Sequence, residues 1–535
     1  MATKSERQPQ ELLLTGGLLV DGTGEAPRPA HLLIRAGTIA RISERPIRTR
    51  GLTIDCAGLV VAPGFIDAHS HLDAVALPRT RDELKQPLAA QGMTTAITGM
   101  CGVSAAGIRE KTGFAAQLEA ASLHGLPAPQ WATVDGLFDR LAGSGVSANL
   151  AILAGHGSAR ASIRGLSPSP LHHYELRELL WLLASAMDQG ARGVSLGLQQ
   201  VPGMSARHEE LREVAQLVKG KGKVLAVHLR AYSSSAPGAR PRGSREPRNL
   251  AALREALDLA RLTGVRLQVS HLMFVGSGAW RTLEASLQAI DSARADGVDV
   301  RFDIVPRTSA ELCISLLLAP WFLEKLPDAW EAHDLQRRLA GELHRLERGA
   351  GIGPTDVHLL HAGDPALSQH EGSSLAEIAR LLRLRPAAAL VEIARRSAGR
   401  ARVRLAKCGT EKLLDAAARH PACLFAAGSP GAGAAGAFPR FLQMARERHL
   451  MPLEDAVRRM SGATAERFAL ADRGVLKEKL AADIVVFDWE KVADTATDER
   501  PRAAPAGIEY VFINGRKIMS GGKRESSLTA GVPLR

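Results

Sequence analysis

A pair of histidines at the end of an apolar run constrains this chain more than any other feature. The run VAPGFIDAHSHLD occupies residues 61–73 and places His69 and His71 two positions apart. In a β-strand, residues two apart point to the same side, so both imidazoles would face one way. Two imidazoles at a strand end are well placed to bind a metal ion. A strand edge without any metal also accommodates such a pair, so both interpretations stay open on these residues alone.

Short apolar runs alternate with helical stretches along most of the chain. Helices are predicted at residues 174–189, 209–218 and 249–262, and strands at residues 92–98, 149–157, 193–198, 223–230, 266–271, 298–306 and 422–430. This alternation predicts parallel strands joined by helices. In parallel barrels, the functional side chains lie at the carboxyl ends of the strands. The strand ends are therefore where a site is expected.

Further candidate ligands fall at or just after predicted strand ends. Cys101 follows the second strand, and His228 and His271 lie at the ends of the fifth and sixth. Thiolate sulfur and imidazole nitrogen are the ligands that zinc prefers. A lone cysteine is often only a small buried apolar side chain, so the set favours a metal site more than any single member does. His156, at the end of the third strand, could contact such a site or be a hydrogen-bonded loop histidine.

The sequence around these residues resembles the amidohydrolase superfamily and, more narrowly, the N-acyl-D-amino-acid deacylase (D-aminoacylase) family. The resemblance is carried by the His-x-His strand end, by TTAITGMCGVSAA around Cys101, and by His228 and His271. It implies a tightly bound zinc ion held by Cys101, His228 and His271. It also implies that His69 and His71 form part of a second, weaker metal site. In this family the cysteine takes the place of the carboxylated lysine of other amidohydrolases.

The resemblance covers nearly the whole chain and implies an α/β fold. The expected architecture is a (β/α)8 TIM-like barrel, with a small β-sandwich built from both chain ends and an insertion between strands seven and eight. The N-terminal part of the sandwich is expected at residues 1–60 and its C-terminal part at 471–535. Barrel strands one to seven are expected at 61–306, an insertion or lid subdomain at 307–409, and strand eight with the closing helices at 410–470.

One catalytic residue of the family is replaced in this chain. The family's eighth strand ends in a Ser-Asp-Gly-like motif whose aspartate binds the metal and acts as general base, whereas this chain reads Gly-Ser-Pro-Gly, with Pro430 at the aspartate position. General acid–base catalysis contributes about 10²–10⁴-fold to a rate, so its loss would matter. The candidate replacements are Asp67, Asp73, Asp303, Glu411 and His156.

The expected substrate contacts also depart from the family pattern. The family usually has a lysine two residues after the sixth-strand histidine, where this chain has Met273. It also has tyrosines on strand seven, where this chain has Val305 and Arg307. Arginine binds carboxylates through two parallel hydrogen bonds, so Arg230 and Arg307 are candidates for holding a substrate carboxylate. Together with His156 and Met273 they form the candidate substrate-binding set.

Two functional hypotheses follow from these residues. The first is a zinc-dependent amidohydrolase that hydrolyses a linear amide by metal-activated water; the resemblance points to an N-acyl amino acid, including the D configuration. The alternative is a metal-binding, catalytically impaired relative that acts as a binding or assembly subunit. The retained candidate ligands support the first hypothesis. Pro430 and the altered substrate contacts support the second.

Composition narrows the class of partner. The net charge is +12, but Lys and Arg are scattered and only 4% of residues are aromatic, which argues against nucleic-acid binding. Apolar stretches are too short to span a membrane, and five cysteines in 535 residues do not indicate a disulfide framework. The polar segment MATKSERQPQ has no apolar core typical of a signal peptide. We therefore expect a cytoplasmic protein whose partner is a small molecule.

Overall fold

The structure is a computed structural model that describes residues 11–74, 86–115, 117–118, 131–235, 246–323, 325–326, 328–428, 436–497, 500, 503–524 and 529–535. The strands within these ranges are β1 Glu11–Leu19, β2 Arg28–Arg35, β3 Thr38–Ser43, β4 Leu52–Asp55, β5 Val60–Pro63, β6 Phe65–Asp67, β7 Met93–Thr98, β8 Asn149–Ile152, β9 Ala154–Gly155, β10 Gly193–Gly197, β11 Val224–His228, β12 Arg266–Val269, β13 Val300–Ile304, β14 Ala310–Cys313, β15 Val357–His361, β16 Arg402–Leu405, β17 Cys423–Phe425, β18 Ile484–Phe487, β19 Ile508–Ile513, β20 Arg516–Ser520 and β21 Lys523–Arg524.

The α-helices within the same ranges are α1 Gln86–Ala90, α2 Val134–Ser144, α3 His156–Arg164, α4 His173–Asp188, α5 His208–Gly220, α6 Arg248–Thr263, α7 Ser277–Trp280, α8 Leu283–Ala295, α9 Pro320–Leu323, α10 His333–Ala350, α11 Leu375–Leu381, α12 Pro386–Arg396, α13 Glu411–Arg419, α14 Ala437–Glu447, α15 Leu453–Met460 and α16 Gly462–Arg467. Short 3₁₀ helices occur at Leu72–Ala74, Gly203–Ser205, Ile314–Leu317, Asp328–Trp330, Pro354–Asp356 and Pro365–His370. None of the described helices is both long and apolar enough to cross a membrane.

One compact unit is formed by the described residues of Met1–Thr98, Phe138–Ile152 and Cys423–Arg535. It contains a nine-stranded sheet in the order β21-β20-β19-β18-β5-β1-β2-β3, with β4 paired to β1. Residues two apart along a strand face the same side, and such pairs fill the core on one face of this sheet. Examples are Leu12 with Leu14 and Ile484 with Val486, all buried. Strands from the N-terminal and C-terminal parts of the chain thus share one sheet. These are the residues that the sequence predicted as the two parts of a sandwich.

The same unit contains a smaller parallel sheet that ends near the His-x-His pair. Its order is β6-β7-β8, and every residue of these strands is buried. Parallel strands covered on both faces are buried throughout, and here the polar side chains of Thr94, Thr95 and Thr98 are buried along with the apolar ones. Gly64 precedes β6 where a Cβ atom would lie 2.2 Å from the Thr94 side chain, so glycine is required there. This close approach places the end of β6 and the histidines that follow it.

A buried ion pair anchors β8 to the nine-stranded sheet within this unit. The Asp483 carboxylate accepts hydrogen bonds from Arg473, from the Asn149 side chain at 2.8 Å and from the Asn514 backbone N–H at 2.7 Å. Asn149 Oδ1 in turn accepts from the Val532 N–H at 3.0 Å. Because each buried charge is paired and hydrogen-bonded, the network avoids the penalty of an unpaired buried ion.

The second compact unit is formed by the described residues of Gly99–Leu137 and Leu153–Ala422. Its central strands are parallel and follow one another in the order β13-β12-β11-β10-β9. In the register, Gly197 of β10 pairs with His228 of β11, and Val227 pairs with Val269 of β12. The helices α4, α5 and α6 connect or flank these strands at the positions predicted from the sequence, with slightly different bounds. The helices α3, α7 and α8 were not predicted.

The residues predicted as an insertion have a hydrophobic core of their own inside the second unit. The strands β14, β16 and β15 form an antiparallel sheet in that order. Side chains from Ile314 to Cys408 form one apolar cluster, against which Met273 and Val275 also pack. The division of the whole chain into five segments stays a prediction.

Candidate metal centre

Three predicted ligands of the second unit come from strand ends and one loop. β11 ends at His228, and His271 lies two residues past the end of β12. Cys101 lies in the loop that follows β7 in the sequence. β11 and β12 are adjacent and parallel, so their carboxyl ends bring the two histidines side by side. The ring centroids of His228 and His271 are 4.7 Å apart with an interplanar angle of 82°.

The distances among these three side chains fit a zinc ion. Cys101 Sγ lies 3.3 Å from His228 Nδ1 and 3.4 Å from His271 Nε2, and all three ligand atoms lie within 4.8 Å of one another. Zinc bonds of about 2.3 Å to sulfur and about 2.0 Å to nitrogen, at a tetrahedral angle, require a sulfur–nitrogen distance of about 3.5 Å. The three residues, here called the Cys101–His228–His271 site, therefore present a donor set of the right elements at the right spacing.

The backbone at two of the ligands is in the left-handed region. Cys101 has φ of 55° and His271 has φ of 32°, a conformation that costs a non-glycine residue about 1–3 kcal/mol. Local hydrogen bonds hold both residues in place. The Gly102 N–H donates to Ser195 Oγ at 3.0 Å, and the His271 N–H donates to Asp303 Oδ1 at 2.7 Å. The strained conformation is thus fixed by neighbouring strands of the same unit.

Burial sets the protonation of these groups in the metal-free protein. It raises the pKa of the Cys101 thiol well above its ordinary value, and the nearby Asp303 carboxylate raises that pKa further. Burial lowers the pKa of His271 to about 4, so the imidazole is neutral at pH 7 and keeps a lone pair for a metal. Burial also raises the pKa of Asp303 to about 7. A bound cation would favour the thiolate, which is the form of cysteine that binds metal.

The histidines of the His-x-His motif lie in the first unit, directly after β6. Both are buried, and their ring centroids are 5.5 Å apart. Asp67 Oδ1 accepts hydrogen bonds from the His69 N–H at 3.0 Å and the Ala427 N–H at 2.9 Å, and the Ser70 N–H donates to Ile97 at 2.9 Å. These bonds fix the backbone that carries both imidazoles. The role of His69 and His71 in a second metal site stays a prediction.

Two of the candidate substrate-binding residues are already paired with carboxylates of the chain. His156 is the first residue of α3 and fully buried; its Nε2 lies 2.8 Å from Glu210 Oε1. Arg230 donates through Nε and Nη2 to the Glu255 carboxylate, the shorter contacts being 2.9 and 2.8 Å. Arg230 would have to release Glu255 before it could hold a substrate carboxylate through the same fork.

The other two candidates differ in their surroundings. Met273 packs against the apolar cluster of the insertion, which suits a flexible apolar side chain. Arg307 is partly buried, and its backbone N–H donates to Val305 at 2.8 Å. The substrate-binding roles of His156, Arg230, Met273 and Arg307 stay predictions.

The candidate replacement bases occupy buried or partly buried positions. Asp67, Asp73, His156 and Asp303 have between 0% and 3% of their surface exposed, and Glu411 begins α13 with a partly buried side chain. Asp303 accepts hydrogen bonds from His271 and from the Gln268 side chain. Pro430 lies outside the described residues.

Two residues beside the histidine ligands were not predicted. Gln199 Oε1 lies 3.1 Å from His228 Nε2, and the Tyr232 ring packs against the rings of both His228 and His271. Both residues lie in loops, where no hydrophobic period marks them. Two signals could have found them. Tyr232 lies four residues after His228, and Gln199 follows β10, which is the neighbour of β11 in the sheet.

Comparisons with known proteins agree with the fold. Residues 52–173 match the Amidohydrolase family. The chain is 30% identical over 525 residues to the D-aminoacylase of Alcaligenes xylosoxydans xylosoxydans, covering 96% of each chain. It is 31% identical to the N-acyl-D-glutamate deacylase of the same organism, over 94% of this chain and 93% of that one.

A solved structure extends the likeness to three dimensions. The N-acyl-D-glutamate deacylase of Bordetella bronchiseptica, solved with zinc and a phosphonate inhibitor, has a TM-score of 0.80 and 29% identity, covering 99% of this chain and 100% of that one. The fold and these matches define the class of the chain as an amidohydrolase. More narrowly, the chain belongs to the D-aminoacylase family.

We expect the chain to bind zinc. The substitution Cys101→Ala should lower the zinc affinity by more than 100-fold. Loss of a residue that only holds a ligand costs about 10–100-fold in affinity, and loss of a ligand should cost more. Cys408→Ala is the matched control, because Cys408 is 5% exposed against 4% for Cys101 and lies in the core of the insertion. Competition with a chelator measures both affinities. Equal affinities in the two variants would contradict the site.

Zinc affinity should rise with pH by at least tenfold per unit between pH 7 and 8.5, because the Asp303 carboxyl, with a pKa of about 7, adds to the proton release at the lower end. Because burial raises the pKa of the Cys101 thiol, the metal-free protein holds that proton throughout this range and loses it on binding. The His271 imidazole, with a pKa of about 4, releases no proton here. Isothermal titration calorimetry in buffers of different ionisation enthalpy counts the protons released. A pH-independent affinity with no proton release would show that Cys101 does not bind as a thiolate.

Proposed function

We propose that the chain is a zinc-dependent amidohydrolase that hydrolyses a linear amide of the N-acyl amino acid class. The observation that carries this proposal is the spacing of the Cys101–His228–His271 site, at 3.3 and 3.4 Å between sulfur and nitrogen. Membership of the D-aminoacylase family supports the reaction class. The names of the relatives, a D-aminoacylase and N-acyl-D-glutamate deacylases, favour substrates of D configuration.

The residues proposed to hold one tightly bound zinc ion are Cys101, His228 and His271. We propose that His69 and His71 contribute to a second, weaker site; a relative whose structure is known is described as having a binuclear metal centre. When bound, zinc lowers the pKa of water to about 7 and polarises a carbonyl group. The chain's own contribution is to hold the neutral His271 imidazole, the His228 imidazole and the Cys101 thiol together in a largely buried place.

The proposed substrate contacts come from the same unit as the Cys101–His228–His271 site. Arg230 and Arg307 would hold a substrate carboxylate, and His156 and Met273 would line its surroundings. Arg230 is fixed by Glu255 in this conformation, which makes an exchange of that ion pair for a substrate carboxylate the expected event. Both side chains of the pair are about one-third exposed, so the exchange costs little desolvation.

The domain layout predicted from the sequence is part of this proposal. A (β/α)8 barrel with an insertion and a sandwich from both chain ends agrees with the TM-score of 0.80 to a D-amino-acid deacylase over 99% of the chain. Within each unit the described parallel strands, β6 to β8 in the first and β9 to β13 in the second, pair side by side as the strands of such a barrel do. The separate core of the insertion agrees with a lid or small subdomain.

A specific sequence feature favours a second candidate function. Pro430 stands where the family has its catalytic aspartate, and proline cannot accept a proton through its side chain. A chain that keeps the metal ligands without a general base could serve as a metal-binding subunit with impaired catalysis. The two candidates differ in turnover, and both require bound metal.

Turnover should be detectable with zinc-loaded protein on a panel of N-acyl-D- and N-acyl-L-amino acids. His271→Ala should abolish it, because the variant loses a ligand of the proposed zinc site. His361→Ala is the matched control, since His361 lies on the exposed end of β15 with 68% of its side chain accessible. Amine release measures the rate. Bound zinc without turnover on any panel member would favour the metal-binding subunit.

Pro430→Asp tests the missing base directly. If only the proton acceptor is absent, this change should raise kcat by about 10²–10⁴-fold, the usual contribution of general acid–base catalysis. Pro430→Asn, which has similar size and no titrating group, is the control. An increase in both variants would point to relief of the proline backbone instead. No increase in Pro430→Asp would show that another group already serves or that the substrate contacts have diverged.

A further inference from the structure

The Tyr232 hydroxyl bridges two strands immediately beside the histidine ligands. It accepts a hydrogen bond from the Leu229 N–H at 2.9 Å and donates one to the Ser270 carbonyl at 3.0 Å. Leu229 follows His228, and Ser270 precedes His271. Regular pairing of β11 with β12 ends at Val227 and Val269. The hydroxyl therefore continues the connection between these strands across the two residues that carry the ligands.

The ring of the same tyrosine contacts both ligand rings. Its centroid lies 5.0 Å from that of His228 in an edge-on arrangement of 86°, and 5.0 Å from that of His271 at 50°. Aromatic pairs at this separation attract each other beyond their apolar burial, by about 0.5–1.5 kcal/mol each. Tyr232 is 3% exposed, so both the ring and the hydroxyl are held firmly. One side chain thus fixes the separation of the two strand ends and the orientation of both imidazoles.

Gln199 acts on one of these imidazoles from the opposite ring nitrogen. Its Oε1 lies 3.1 Å from His228 Nε2, while Cys101 Sγ lies 3.3 Å from His228 Nδ1. An amide oxygen only accepts, so Nε2 carries the proton and Nδ1 keeps the lone pair on the side of the cysteine. The hydrogen bond made by the second nitrogen of a histidine decides which nitrogen is available to a metal.

We propose that Tyr232 and Gln199 are positioning residues of the Cys101–His228–His271 site, Tyr232 by setting the spacing of the two histidines and Gln199 by selecting Nδ1 of His228 as the ligand atom. This inference rests on the proposed function in so far as the site takes zinc. Neither residue is among the proposed metal ligands or substrate contacts. Their effect is on metal affinity and on the geometry of the bound ion.

The test for Tyr232 removes one atom. Tyr232→Phe keeps the ring and leaves the Leu229 N–H and Ser270 carbonyl without their bridge, so zinc affinity measured by chelator competition should fall about 10–100-fold. With Co²⁺ in place of zinc, the d–d absorption bands should shift while the thiolate-to-cobalt band remains. Tyr174→Phe, on a side chain that is 66% exposed on α4, is the matched control and should change neither.

A purely structural role for Tyr232 would give a different result. Thermal unfolding of metal-free Tyr232→Phe would then occur at lower temperature while zinc affinity and the cobalt spectrum stay those of the unaltered protein, and that outcome would overturn the proposal for this residue. Failure of the unaltered protein to bind either metal would overturn the proposed zinc site and this inference together. Binding by the unaltered protein with no turnover would count only against the enzymatic function.

The test for Gln199 uses an exposed residue, so folding is not at risk. Gln199→Leu should lower zinc affinity about tenfold, the lower end of the range for such partners. In metal-free protein with ¹⁵N-labelled histidine, the His228 nitrogen shifts should move from a pure Nε2–H form towards a mixture of both tautomers. Gln199→Asn, which keeps the amide on a shorter side chain, should show an intermediate effect. Unchanged nitrogen shifts and affinity in Gln199→Leu would overturn the assignment.

Discussion

The thiol of Cys101 is held between two imidazoles in a buried place, and the surrounding residues of the second unit are arranged to keep it there. Left-handed backbone at Cys101 and His271 costs about 1–3 kcal/mol at each residue. Zinc bound by cysteine and histidine in small domains contributes about 10–16 kcal/mol of apparent free energy at pH 7. The strain is thus small beside what metal binding would return. Gly197 lets the backbone of β10 approach Cys101 closely, because a Cβ atom at this position would lie 2.2 Å from the Cys101 carbonyl oxygen.

The sequence predicted most strands and helices of the second unit because their apolar periods are regular. It placed His228 and His271 together because adjacent parallel strands must end at the same edge, and the structure confirms that these two side chains are neighbours. Cys101 has a weaker signal: it follows a predicted strand, but it lies in a loop with left-handed backbone, and the likeness of the surrounding residues to a known family indicated its role. Tyr232 and Gln199 were missed for the same reason, since a loop residue's contacts depend on how the strands are paired.

His156 illustrates another limit of sequence reasoning. As the residue that follows β9 it lies where a barrel strand presents its functional side chain, yet its Nε2 is bound to Glu210, which is 54 positions away. Arg160 joins the same carboxylate at 3.1 Å and reaches the Ser169 carbonyl at 2.9 Å. A fully buried arginine and histidine around one carboxylate form a hydrogen-bonded network that holds α3 against the start of α5. No local pattern predicts a pairing over that distance.

The consequence of the missing aspartate at residue 430 can be judged from how much a general base contributes to the rate. Losing general acid–base help of 10²–10⁴-fold corresponds to about 3–5 kcal/mol of activation free energy. Enzymes typically lower their barriers by about 8–23 kcal/mol, so a chain that keeps its metal ligands and its substrate contacts could retain a substantial part of that effect. The replacement of the family's lysine by Met273 affects substrate binding and not the catalytic base. An apolar side chain packed on the insertion core cannot hold a substrate carboxylate. Altered substrate recognition therefore accounts for the departures of this chain at least as well as a complete loss of catalysis does.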